Sequence, residues 1–422
     1  RFPPIDLAMG TTMPEVSTLN VELHGTTVGT LTRLPDDRTL FAFAKNYIDN
    51  AQRPTLSLSF KDIYGGLDTD TKPTTTRVPP FFANLLPVGH LRKYLAERAG
   101  VNEKREFFLL WVLGRDLPGA VRIIPADGES WPEDAIGNVD DDGVVAAAET
   151  ALRFSLAGVQ IKFSAVKNAA GGLTIPANGV GGSWIAKLPS ETHKGVPENE
   201  FAMMELARRA GIDVPETKLI DLSEIKGLPP DVSGMGSKAF VIRRFDRLND
   251  GTRVHIEDFA QIFGLYPERK YERVNYDNIA SVLAAETGEA GVAEFVRRFT
   301  FNALIGNGDM HLKNWSVIYA DKRNASIAPA YDFLSTIVYI KNDKLGLNFA
   351  GTKSFADLDL ERFERFAGRA RLSSTLVRET AKDTVARFHS VWATRKELPI
   401  SAQLASAVEA QLKTVPIARE GA

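Results

Sequence analysis

The stretch LIGNGDMHLKNWS, residues 304–316, gathers Asp, His, Lys and Asn around two glycines. Asp309 and Asn314 stand in the spacing D-x4-N. A carboxylate so placed can take the proton of a hydroxyl that attacks a phosphoryl group. A neutral carboxamide oxygen five residues on can reach the metal that bridges the phosphates. Lys313 could neutralise charge on the group in transfer, and His311 lies between the two. The same composition suits a polar loop that caps the apolar segment FVRRFTFNAL just upstream. Spacing alone leaves both readings open.

Three further stretches bear on the choice. In PAYDFLS, Asp332 follows the apolar run SIAPAY and precedes Phe333. A strand-borne Asp there would supply a second metal ligand, or it would simply cap the next turn. The hard oxygens of Asn314 and Asp332 suit magnesium better than zinc. In FSLAGVQIK, residues 154–162, the single Gly158 would let backbone N–H groups approach phosphate oxygens, though a plain hairpin turn reads the same way. In WIAKLP, Lys187 sits among Ile185, Ala186 and Leu188, so it must be paired or at a sheet edge. Glu200 opens the helix that follows. The order is decisive where no single signal is: turn (155–162), strand Lys187, helix Glu200, strand and connection (239–247), Asp309 with Asn314, then Asp332. Protein kinases carry these parts in this order, which favours an ATP-dependent phosphotransferase.

The elements that must position these groups can be read by periodicity. TLNVELHGTTVGTLTRL alternates as a β-hairpin turning at His24-Gly25, and RPTLSLSF ends in another alternating run. PPFFANLLPVGHLRKYLAERAG suggests a helix stopped by Gly100. KREFFLLWVLGRDLPGAVRIIP reads as helix, turn and strand, and a Gly-, Asp- and Pro-rich stretch follows at 125–143. SWIAKLP, TKLIDLSEI and KAFVIRRFDRL read as strands, and PENEFAMMELARRAGIDVP as a helix stopped by Gly211. From about residue 255 the pattern is mostly helical. Strands with one helix, then a large helical part, predict a two-lobed α+β unit. The expected divisions are a β-rich N-terminal subdomain at 18–125, a linker at 126–146, an N-lobe-like part at 147–250 and a helical C-lobe at 251–415.

Bulk properties exclude several classes. The 422 residues are 44% hydrophobic and 25% charged, an ordinary globular composition. A net charge of −2 gives no global pull toward nucleic acid or membrane, so DNA contact would need a local patch or a partner. With no cysteine, disulfides and Cys-based zinc sites are excluded, and a cytoplasmic setting is expected. No apolar run reaches about 18 residues, and the N-terminus has no basic-then-apolar signal pattern. The other histidines, His24, His90, His193, His255 and His389, make no metal-binding cluster, and there is no G-x-S-x-G nucleophile elbow.

The separated motifs RPTLSLSF, FFANLLP, GRDLPGAV, SLAGVQIK, WIAKLP, NEFAMMELARRAGIDVP, RRFDR, EDFAQIFG, KYE, LIGNGDMHLKNWS and AYDFLS together resemble the HipA family, bacterial serine/threonine kinase toxins of type II toxin–antitoxin systems. The resemblance runs from about residue 18 to 395. It implies a two-lobed protein-kinase-like fold, with a small N-terminal β-rich subdomain and a large helical C-terminal lobe. It implies Asp309 as catalytic base with His311 and Lys313 in support, Asn314 and Asp332 as magnesium ligands, and Lys187, paired with Glu200, on the ATP phosphates. Gly158 and Lys162 belong to its phosphate loop. Arg243 and Phe245 meet adenine through backbone groups, and Tyr331 lies at the nucleotide. Arg243 stands where the family carries an acidic residue, a change that backbone contacts survive. Ser155 is the implied autophosphorylation site: a phosphate there adds about −1.5 to −2 charges where ATP phosphates should sit. The implied partners are a HipB-like helix-turn-helix antitoxin, through which DNA is mainly reached, and a protein substrate of the aminoacyl-tRNA synthetase class. Phosphorylating it would block translation and promote growth arrest and persistence. Two other readings compete: a small-molecule phosphotransferase of aminoglycoside or choline type, since GDMHLKN resembles their G-D-x-H-x-x-N loop, and a corepressor scaffold for the antitoxin.

Overall fold

Strand β1 (Thr18–Leu23) buries Leu19, Val21 and Leu23 completely and leaves the alternate residues half-buried, as a sheet with one packed face requires. His24 (φ 52°) and Gly25 (φ 79°) turn the chain into β2 (Thr26–Arg33). Two successive left-handed residues match the twist of a tight hairpin. With β3 (Arg38–Phe43), β4 (Thr74–Thr75) and β5 (Val121–Pro125) they form an antiparallel sheet in the order β4-β3-β2-β1-β5. Its packed face closes on Phe81, Phe82, Phe107 and Trp111. The computed structural model describes residues 17–34, 37–88, 92, 96, 102–126, 162–167, 173–174, 182–190, 192–226, 228 and 236–420. The expected 126–146 linker, apart from Ala126, lies outside them, as do Ser155, Gly158 and Gly100.

Two expectations in this region are corrected. Residues 47–49 lie in helix α1 (Lys45–Asp49) rather than in a strand, and TLSLSF makes no strand: Leu58–Phe60 is a 3-10 turn capped by Ser57. The alternation is real, but its polar positions bond to another part of the chain rather than to a neighbouring strand. The helix expected from PPFFANLLP begins as α2 (Pro80–Ala83) and stops at Asn84, ahead of Pro87, whose ring disfavours helix in the residue before it. Helix α3 (Glu106–Leu113) and β5 fall where expected.

A second sheet takes β6 (Lys162–Lys167), β7 (Leu173–Thr174), β8 (Trp184–Lys187), β9 (Thr217–Asp221), β10 (Ile225–Lys226) and β11 (Lys238–Arg243), in the order β10-β7-β6-β8-β11-β9. On β11, Ala239 and Val241 join a small cluster with Trp184 and Ala186, whereas Phe240 and Ile242 join the main core with helix α4 (Val196–Arg209). Register sets Lys187 opposite Lys162 on one side and Phe240 on the other.

The last part is helical around α6 (Tyr276–Ile305), which follows the short α5 (Phe259–Ile262) and breaks at Gly288 (φ 67°). Helices α7 (Leu360–Ala370) and α8 (Ser374–Trp392) pack against α6, and α9 (Ala402–Thr414) adds to the same core. This part also holds an unexpected three-stranded sheet: β12 (His255–Asp258), β13 (Ser316–Tyr319) and β14 (Ser326–Ile327). Strand β13 begins two residues after Asn314, so the sheet anchors the exit of the 304–316 loop.

Candidate active site

Helix α6 ends in the buried run Phe299–Ile305 and stops at Gly306 (φ 68°). A Cβ on Gly306 would lie 2.5 Å from Ile337 Cδ1, and one on Gly308 would lie 2.3 Å from Asp343 Oδ2. Both glycines are thus required by space, the first also by backbone geometry. Gly308 N donates to Thr336 Oγ1 (2.7 Å), itself 2.5 Å from Asp343 Oδ2. Asn307 accepts from Asp309 N (3.1 Å) and donates to Asn302 Oδ1 (2.8 Å) and Asp332 O (3.3 Å).

The chain then folds back on itself. His311 N donates to Asp309 O (2.8 Å), and Asn314 Nδ2 donates to the same carbonyl (2.9 Å). The D-x4-N spacing therefore brings Asp309 and Asn314 to one spot. With Nδ2 committed, Oδ1 is the end of Asn314 that can face a cation. Asp309 is exposed and Asn314 buried.

Lys187 pairs with Glu200, as the residue order suggests, and also meets Asp332. The Lys187 ammonium donates to both carboxylates, and Lys187 and Glu200 are buried. Burial alone would lower the lysine pKa; the charges of Asp332 and Glu200 more than offset it and raise the pKa above its usual range. Lys187 stays an ammonium at any ordinary pH. Asp332 is not on a strand, which corrects the sequence expectation: it lies in a loop at φ 59°, a left-handed conformation costly for any residue but Gly, Asn or Asp.

His311 is buried with Nε2 2.8 Å from Lys270 Nζ. Burial, then the Lys270 charge, drives its pKa down to about 3 against the pull of Asp332. It is a neutral imidazole that accepts from Lys270. Lys313 is placed differently from the sequence expectation. Its ammonium donates to Asp258 Oδ2 (2.6 Å), Asn84 Oδ1 (3.0 Å) and Asn84 O (3.2 Å). So held, it tethers the loop rather than serving the group in transfer.

The residues expected at adenine are placed as follows. The N–H groups of Arg243 and Arg244 are taken by the carbonyls of Glu216 and Ser183, each at 2.8 Å. The Arg243 N–H is thus taken up within the chain, and its guanidinium bonds Asn249. The Phe245 ring lies 5.8 Å from that of Tyr331, whose hydroxyl is 2.5 Å from Ser316 Oγ and donates to Lys313 O (2.9 Å). The Tyr331 hydroxyl is thus a brace, and burial pushes its pKa above the usual range. Lys162 takes its strand place beside Lys187.

Some residues at this site went unread. Tyr271 donates its hydroxyl to Asp309 Oδ1, and Lys270 accepts from Leu312 N through its carbonyl (3.2 Å). Both belong to the quoted motif KYE, whose spacing gives no hint of a partner. The N-terminal motifs were equally silent about where they dock. Ser57 Oγ (2.5 Å) and Leu58 N (2.9 Å) of RPTLSLSF donate to the Glu257 carboxylate. Asn84 of FFANLLP holds Lys313 and donates to Leu265 O (2.7 Å). In GRDLPGAV, Asp116 accepts from Arg247 (2.8 Å), and Gly119 N donates to Asp246 Oδ2 (2.8 Å).

Comparison with known proteins rests on this geometry. Residues 154–392 match the HipA-like C-terminal domain, and residues 19–124 match the HipA N-terminal domain. The chain belongs to the HipA family. Among relatives of this HipA-family chain are two Sinorhizobium fredii proteins named as kinases. Y4dM is 55% identical over 97% of this chain and 99% of its own, and Y4mE is 30% identical over 88% and 90%. The serine/threonine-protein kinase toxin HipA of Shewanella oneidensis is 26% identical over 78% of this chain and 77% of its own. A solved complex of Shewanella oneidensis HipA, HipB and operator DNA matches with a TM-score of 0.73 over 96% of both chains at 23% identity, a likeness of fold. The two-lobed, kinase-like α+β fold expected of a HipA-family chain is the fold found.

Proposed function

We propose that this chain is an ATP- and magnesium-dependent serine/threonine protein kinase and the toxin of a toxin–antitoxin pair. The observation that carries the reading is the meeting of Lys187, Glu200 and Asp332 beside a loop in which Asn314 closes on Asp309. A strand lysine held by a helix glutamate is what places an ammonium on the α- and β-phosphates of ATP. Asp309, exposed on a loop braced from behind by Asn307, is placed to take the proton of a serine or threonine hydroxyl as its oxygen attacks the γ-phosphorus. His311, neutral and fixed by Lys270, shapes the loop without competing for that proton.

The donor set fits magnesium. Asp332 and Asn314 offer hard oxygens, and magnesium commonly takes one or two protein ligands, completing its shell with water and phosphate oxygens. Bound there, the ion would offset charge on the phosphates.

The finer assignments follow from the family. The substrate is a protein of the aminoacyl-tRNA synthetase class, and its phosphorylation blocks translation in the cytoplasm and promotes growth arrest and persistence. Autophosphorylation at Ser155 silences ATP binding, Gly158 and Lys162 serve the phosphate loop, and Phe245 and Tyr331 flank the nucleotide. A HipB-like antitoxin neutralises the chain and carries it to DNA. The working division is 18–125, a linker at 126–146, 147–250 and 251–415. No helix of the described residues is long and apolar enough to cross a membrane.

Incubation of the full chain with ATP and magnesium, followed by phosphosite mapping, tests the reading. Transfer that is lost in Asp309→Ala, with nucleotide binding lost in Asp332→Ala, supports it. A wild-type chain that neither binds ATP nor transfers phosphate overturns it.

A further inference from the structure

The hydroxyl of Tyr271 donates to Oδ1 of Asp309, the oxygen side of the group proposed to act as base. Both residues lie at the solvent boundary: Tyr271 is 40% exposed and Asp309 is exposed. The contact is built rather than incidental. Lys270 binds the 304–316 loop twice, through its carbonyl to Leu312 N (3.2 Å) and through its ammonium to His311 Nε2 (2.8 Å). The Tyr271 ring stands edge-on to the His311 imidazole at 5.1 Å, and Arg273 (φ 65°) turns the chain away just after. Burial, reinforced by the bond to Asp309, pushes the phenol pKa well up, so the group stays a proton-bearing donor.

In phosphoryl transfer the group that must stand on the base is the acceptor hydroxyl. A hydroxyl of the chain itself stands there. We infer that Tyr271 is an acceptor-site residue, holding the acceptor's place on Asp309 until a serine or threonine hydroxyl exchanges for it. The inference rests on the kinase reading above. Exchange of one hydroxyl for another conserves the hydrogen bond to Asp309, so its net cost is small. A protein substrate can meet that cost from contacts made elsewhere along its surface. Water has no such contacts and competes against a phenol tethered in place. Tyr271 thereby suppresses the wasteful reaction. In that reaction a water oxygen bonds to the γ-phosphorus, the bond from that phosphorus to the bridging oxygen breaks, ADP leaves and the water proton passes to Asp309.

The test uses full-length Tyr271→Phe, which keeps the ring and its edge contact with His311. Phosphate release from ATP and magnesium without acceptor should rise by about tenfold or more, the scale of one hydrogen bond to a charged group. Transfer to a degenerate serine/threonine peptide library should show a lowered KM for peptide with kcat nearly unchanged. Release should return to background in Asp309→Ala/Tyr271→Phe. Unchanged release and unchanged peptide KM, in a protein that still transfers phosphate, overturn the role of Tyr271 and leave the kinase reading standing. A wild-type chain that neither binds nor turns over ATP overturns both.

Discussion

Lys313 donates to the side chain of Asn84 at 3.0 Å, across 229 residues of sequence. The residue just before Asn314 is therefore gripped by a motif of the N-terminal region, with Asp258 Oδ2 sharing the grip at 2.6 Å. Lys313→Met would leave the mostly buried Asp258 without its cation, at a cost of about 1–3 kcal/mol. We expect kcat to fall by more than tenfold while nucleotide affinity holds, and Lys313→Arg to recover part of the loss. Steady-state kinetics with a thermal melt separates the two effects.

Lys187→Met should be the most damaging single change at the site. Glu200 would remain buried without its partner, and Asp332 would lose the same ammonium. Removing one member of a buried ion pair costs about 3–5 kcal/mol. Denaturant unfolding should show that loss, and calorimetric titration should show no ATP binding under conditions where the variant is still folded.

Gly306→Ala and Gly308→Ala probe the corner that presents Asp309. The first forces a side chain into a left-handed backbone and against Ile337; the second meets the Asp343 carboxylate. Each should lower the melting temperature and abolish transfer. Gly264→Ala, also at positive φ but with nothing within 4 Å of the added carbon, should cost stability and leave activity intact.

The junction between the N-terminal region and the rest carries a pH dependence. Burial pushes the Glu257 carboxyl up to about 7, against the donors Ser57, Tyr319 and Leu58 N. Its contribution is complete below the ordinary value of 4.5 and is lost as pH rises through 7. The adjacent His255, lowered to about 4 by burial, has the opposite sense: its contribution is complete above 6.5 and lost as pH falls through 4. Between about pH 5 and 6.5 the two oppose each other, so wild-type melting temperature should change little there and fall from about pH 6.5 to 8, whereas in Glu257→Gln it should rise to about pH 6.5 and then level off. Equal slopes for the two proteins would refute the assignment.

Much of the site was legible because its parts lie close in sequence or in register. Asp309 and Asn314 share one loop, and Lys187 and Glu200 are 13 residues apart on a strand and the helix after it. Asp332 was legible by order, but its φ of 59° was not, because no residue pattern marks a left-handed Asp. Tyr271, Lys270 and the true place of Lys313 depend on tertiary contact alone. The sheet of β12, β13 and β14 escaped because its strands run four, four and two residues, too short for a period to register. In RPTLSLSF the period was present, but the polar positions answer Glu257 and not water.

The mounting of the N-terminal region has a consequence for timing. Ser57, Asn84 and Asp116 each fasten to a different segment of the later chain: Glu257, Lys313 and Arg247. On the ribosome the first three emerge long before their partners. The loop that carries Asp309 gains its Asn84 contact only when the later-made part folds against the earliest-made one. A chain without residues 1–125 keeps Asp258 on Lys313 but loses Asn84, so the loop that carries Asp309 has all its braces only in the finished molecule.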